Sequence, residues 1–86
     1  MNETINEPVR VLAGFDSTQR ASVVLPYLLD WRGHRYKVTQ FGIHYPARRG
    51  KKFYHVFELL CDTAKFKLEL DTETLIWNLA EVYYDH

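Results

Sequence analysis

The side chains of this chain best suited to act on a partner are cationic and aromatic, and they cluster. Arg32, Arg35 and Lys37 flank one turn signal, and Arg48, Arg49, Lys51 and Lys52 crowd a second. Trp31 and Tyr36 lie beside the first, and Tyr45, Phe53 and Tyr54 beside the second. β platforms that bind single-stranded nucleic acid use this mixture, with cations on phosphates and aromatic faces under bases. Gatekeeping charges at hairpin tips produce the same pattern without any ligand. A formal net charge of +0 weighs against a dedicated nucleic-acid binder, since such domains are usually strongly basic.

Other chemistries find less support. His34, His44, His55 and His86 show no His-x-His or His-x3-His spacing, and a zinc site needs three or four convergent ligands. His44 and His55 are expected as cross-strand neighbours in a hairpin centred on Arg49 and Gly50, but two histidines do not make a metal centre. Asp62, Asp71, Glu73 and Asp85 fall at turns or ends, where acidic side chains bond local amides. Glu58 lies inside an apolar run and is expected on the solvent face or paired with a base such as Lys37 or Arg35. Cys61 is the only cysteine, so an internal disulfide is excluded. Its apolar setting, Val56 to Cys61, suits a buried small hydrophobe. No nucleophile–base pair and no Gly-rich phosphate loop stands out. No enzymatic activity, cofactor or metal is expected.

These side chains must be positioned by something, and the hydropathy pattern points to strands. The chain has 86 residues, enough for one small domain whose burial is marginal. Aromatics make up 15% of it, a density that makes an unaided core plausible. Residues 1–8 are polar and end at Pro8, and they read as a disordered leader before a single β domain over 9–86. Val9 to Phe15 alternate as a first strand. In the next run the odd set Val23, Leu25, Tyr27, Leu29 and Trp31 reads as the core face, with Pro26 at an edge or bulge. Arg32-Gly33-His34 reads as a tight hairpin turn. Tyr36 and Val38 resume the inward face, and then parity slips after Gln40, which predicts a bulge aided by Gly42.

Pro46 to Lys52 reads as a loop. Phe53 to Cys61 is apolar on both parities, the mark of a strand covered on both faces. Phe66, Leu68 and Leu70 alternate with Lys65, Lys67 and Glu69. Leu75, Trp77 and Leu79 begin the last strand, with Val82 and Tyr84 shifted by a second bulge near Ala80. Leu75, Leu79 and Val82 also have helical spacing after Thr72, but Ile76, Trp77, Val82, Tyr83 and Tyr84 favour strand. The resulting expectation is an all-β domain, a small antiparallel barrel or rolled sheet of about six strands in consecutive hairpins.

Several of these segments also carry a family resemblance. Leu29-Asp30-Trp31-Arg32-Gly33-His34-Arg35-Tyr36-Lys37-Val38 follows Pro26, and Phe53-Tyr54-His55-Val56, Phe66 to Asp71 and Trp77-Asn78-Leu79 come after it. Together they resemble the small bacterial domains of the DUF6504 type, which also occur at the C-terminus of ImuB-like Y-family polymerase proteins. The chain departs from that pattern at Leu29, where an aromatic is usual, and at His34, which interrupts Arg-Gly-Arg. The resemblance implies a stand-alone β module near DNA-repair machinery, with no activity attached.

Charge distribution sets the expected partners. Residues 1–52 hold nine Lys/Arg against four Asp/Glu, and residues 53–86 hold two against seven. Such a dipolar chain suits an anionic partner on one face or pairing with itself. The function expected is protein–protein interaction, homodimerisation included, with single-stranded nucleic acid as the alternative. The anionic partner is expected on Trp31, Arg32, Arg35, Lys37, Tyr45, Arg48, Arg49, Lys51, Lys52 and Tyr54. No stretch approaches the ~20 apolar residues that span a bilayer. An acidic N-terminus and a lone cysteine suggest the cytoplasm rather than export.

Overall fold

The structure, a computed structural model, describes residues 2–18, 24–62 and 64–84. Among these the chain is all β. Its strands are β1 (Asn2–Pro8), β2 (Arg10–Phe15), β3 (Val24–Trp31), β4 (His34–Lys37), β5 (Gln40–Arg49), β6 (Lys52–Cys61), β7 (Ala64–Asp71) and β8 (Trp77–Tyr84). They form two antiparallel sheets, one ordered β1-β8-β7-β6-β5 and the other β2-β3-β4. The sheets are not closed into a barrel. A rolled arrangement results because the chain passes between them at two corners. Val9 links β1 to β2, and Val38-Thr39 links β4 to β5, tied to the sheets by Val9 N–H to Trp77 O at 3.0 Å and Thr39 N–H to Leu60 O at 2.8 Å. Eight strands exceed the expected six because residues 2–8 add β1 and the expected third strand bends at Val38-Thr39 into β4 and β5.

Residues 2–8 correct the expectation of a disordered leader. They form the edge strand β1 against β8, with Asn2 opposite Tyr83 and Pro8 opposite Asn78. An edge strand with one solvated face buries few side chains, so its polarity imitates disorder. Ile5 packs against the core. Glu7 accepts from Trp31 Nε1 at 3.0 Å and from Arg32, which ties β1 to the other sheet.

The core lies between the sheets. Leu29 and Trp31 of β3 meet Phe57, Leu59, Cys61, Phe66, Leu68, Leu70, Leu79 and Val82 of the larger sheet. Phe66 stands edge-on to Tyr36 at 4.9 Å and to Trp31 at 6.2 Å, geometries that favour aromatic quadrupoles. Burial pushes the Cys61 thiol up to about 11, so it behaves as a core hydrophobe. Central β6 is covered on both faces at Val56 and Phe57, as its two-sided apolar pattern predicts.

Bulges decide which side chains face inward. In β5, Gly42 and Ile43 together oppose Glu58, between the pairs Phe41–Leu59 and His44–Phe57. In β8, Ala80 is the extra residue between Glu81–Lys67 and Leu79–Leu68. Both sit where parity slips in the sequence. A third, in β3, does not show in the pattern. Tyr27 is extra between Leu12–Leu28 and Ala13–Pro26. The inward set is therefore Leu29 and Trp31 with Pro26 and Val24, and Tyr27 points outward, 47% exposed. Val23 lies outside the described residues. The expected loop Pro46–Lys52 is also corrected, since Pro46 to Arg49 continue β5 and only Gly50-Lys51 turns. Pro46 fits because β5 is an edge strand.

Candidate functional site

The nominated residues separate into two groups on different sheets. The first surrounds the β3–β4 hairpin. Its two-residue turn has positive φ at both central positions, 51° at Arg32 and 78° at Gly33, matching strand twist. Trp31 is only 7% exposed, so it offers no stacking face. Arg32 lies 4.7 Å over the Trp31 ring and pairs with Glu7 at 2.5 Å, and that pairing, with the Trp31 bond, holds the Glu7 carboxyl below its ordinary range. Arg35 is bonded to Asp30 at 3.0 Å, which likewise lowers the Asp30 pKa. Lys37 is exposed and makes no ion pair among the described residues.

The second group surrounds the β5–β6 turn. Arg49 makes a two-pronged bond to Glu69, whose side chain is 6% exposed, and stacks on Tyr54. Lys52 pairs with Asp71 at 3.3 Å. Arg48 donates from Nε to Gly50 O and lies 5.4 Å over Phe53. Tyr45 and Tyr54 are half-buried on the outer face of the larger sheet, beside Val56. Glu58 pairs with Lys65 at 2.9 Å, not with Lys37 or Arg35. Thus Arg32, Arg35, Arg49 and Lys52 are neutralised internally, leaving Lys37, Arg48 and Lys51 for an anion. His44 and His55 are neighbours as expected, with Nε2 to Nδ1 at 3.0 Å, and His44 stacks on Phe57. No third ligand completes a metal cluster among the described residues.

A different surface emerges on the outer face of the three-stranded sheet. Arg10 faces Asp30, and Leu28 faces Lys37, across β3. Arg10, Val11, Leu12, Leu28, Asp30 and Arg35 line an open depression of about 250 Å³. Leu12 is 60% exposed there. Asp30 is bonded to Arg35 and also attracts its cross-strand neighbour Arg10, so Lys37 is the cation of this face without a carboxylate partner among the described residues. Its lining is mostly apolar, at Val11, Leu12 and Leu28, with the charges of Arg10, Asp30 and Arg35 beside them. Arg10 and Leu12 stand within β2, away from the turns where cations cluster in the sequence. The available signal is a leucine on the polar parity of β2.

Opposite in character is the β7–β8 connection, residues 71–76. The Asp71 carboxylate accepts from the amides of Glu73 at 2.9 Å and Thr74 at 3.3 Å, and from Lys52. These bonds, the Glu73 amide first, hold its pKa below the ordinary 3.8. A lowered carboxyl contributes stability above its unfolded pKa and loses it as pH falls through the folded one. Asp71→Asn keeps the amide acceptor and loses the charge and Lys52. Its melting temperature should fall below that of the parent at neutral pH. The gap should close as pH drops below 3.8, as followed by thermal melts across an acid series.

Comparison of the chain with protein-family models, with curated proteins and with solved structures finds no match.

Proposed function

We propose that the chain is a protein-interaction module that docks an acidic, apolar-anchored protein segment on the outer face of its three-stranded sheet. The observation that carries this is Leu12, 60% exposed beside Leu28, flanked by the exposed cations Arg10 and Lys37. An apolar anchor point with a charged rim is the usual anatomy of a protein interface. Internal ion pairing of Arg32, Arg35, Arg49 and Lys52 leaves nucleic acid the weaker reading. The likeness of residues 26–79 to DUF6504-type domains supports a partner within DNA-repair machinery. The single buried Cys61 supports action in the cytoplasm.

The test is a photo-crosslinking side chain placed at position 12 in one variant and at position 51 in another. Protein adducts in cells should form at position 12 well in excess of position 51. Equal yields, or nucleic-acid adducts dominating at position 51, overturn the reading.

A further inference from the structure

The connection 71–76 carries a feature that its turn role does not require. Leu75 has φ 61°, a left-handed backbone that a branched apolar residue adopts at a cost. It is also 68% exposed, and Ile76 beside it 54%. The conformation is held by Leu75 N–H to Asp71 O at 2.8 Å, Asp71 N–H to Ile76 O at 3.0 Å and Ile76 N–H to Thr74 Oγ1 at 3.3 Å. Thr72 is anchored to Phe53 O by its amide and its hydroxyl. A rigid turn thus presents two aliphatic side chains to solvent. Asp71 is engaged by Lys52, and exposed Glu73, which Lys52 also attracts, makes no ion pair within 4 Å among the described residues.

This acidic, apolar tip is the chemical complement of the docking face, which is apolar at Leu12 and Leu28 and sets the cations Arg10, Arg35 and Lys37 against the single carboxylate Asp30. The two also adjoin. Val9 N–H bonds Trp77 O at 3.0 Å, which leaves Arg10 and Ile76 each one residue from that bond. A surface holding both halves of a complementary pair side by side can meet its own copy about a two-fold axis, each contact occurring twice. Building on the docking reading above, we infer that the occupant of the face is the 71–76 turn of a second copy, in a reciprocal dimer with Leu75 over the Leu12–Leu28 depression and Glu73 between Arg10 and Lys37.

Sedimentation of the full chain from micromolar to millimolar concentration tests this. The parent should double in mass, less readily at high salt, because the pairs at the rim are solvent-exposed. Leu75→Gly removes the anchor and suits the left-handed backbone, so it should weaken association at least ten-fold with a melting temperature equal to or above the parent's. Glu73→Lys alone and Arg10→Glu with Lys37→Glu should each be monomeric, since like charges then meet. Mixed, the two variants should form a one-to-one heterodimer, both contacts being attractive again. A parent that stays monomeric, a Leu75→Gly chain that stays dimeric, or a mixture that does not pair overturns the inference. With a monomeric parent, protein adducts at position 12 would leave the docking reading standing with another partner, and their absence would remove it as well.

Discussion

Phe66→Ala should unfold a large fraction of the molecule at physiological temperature. Phe66 is 1% exposed on β7, and its ring is the one that Tyr36 and Trp31 of the smaller sheet both meet edge-on. Removing a buried phenyl loses its transfer free energy and leaves a cavity that close-packed neighbours refill only in part. Such truncations cost about 3–5 kcal/mol. A domain of this length has a total stability near the low end of the usual ~5–15 kcal/mol. The cost is thus most of what is available, and the loss falls on the contact between sheets. Urea denaturation followed by tryptophan fluorescence should show a midpoint shifted far down or no folded baseline. Both reporters are well placed, Trp31 against Phe66 and Trp77 at 5.4 Å from Phe57. The same truncation at Phe53, 52% exposed at the sheet end, should cost a small fraction of that, and comparable losses at the two sites would overturn this account of the core.

The contrast between Phe66 and Phe53 shows what can be read from the sequence. Phe66, Leu68 and Leu70 alternate with charged residues, and period two on a half-solvated strand fixes their face. The slips at Gln40 and Ala80 are legible for the same reason, since apolar residues continue on the opposite parity after each. The bulge at Tyr27 is silent because both parities of β3 are apolar, so moving the register leaves the pattern intact. β1 is silent because an edge strand commits mainly Ile5 to the core and is otherwise polar. The candidate site fails to show for a related reason. Clustered cations in the sequence mark turns, and three of them find carboxylates that lie far away along the chain, Arg32 with Glu7, Arg49 with Glu69 and Lys52 with Asp71. Pairings of that range depend on sheet order. The cations of the docking face, Arg10 and Lys37, are ordinary strand residues until β3 sets them around Leu12 and Leu28.

Gly42→Ala carries the other large effect, and it tests the bulge directly. A Cβ at Gly42 would sit 2.6 Å from the carbonyl oxygen of Glu58, closer than real contacts allow. The obstructing atom is backbone of central β6, paired on its other side to Lys67 of β7, so it cannot swing aside as a side-chain tip would. Either β5 lifts from β6, or the bulge is lost and β5 slides by one residue against β6. Sliding by one residue would turn Tyr45, Ala47 and Arg49 from the outer face to the inner one, because successive side chains alternate. Arg49 would then leave Glu69 without its partner, which opposes the slide. Lifting is the outcome left, and it strains the ladder between Gln40–Leu60 and His44–Phe57. The expected loss is about 2–3 kcal/mol, in the upper range for overpacking. Amide hydrogen exchange should report it locally, with faster exchange at residues 57–60 of β6 and little change in β8. Gly33→Ala supplies the comparison, since nothing lies within 4 Å of its added Cβ and only its φ of 78° is strained. If Gly42→Ala proved no costlier than Gly33→Ala, or if β8 exchanged as fast as β6, the close approach at Glu58 would not be what fixes the register of β5.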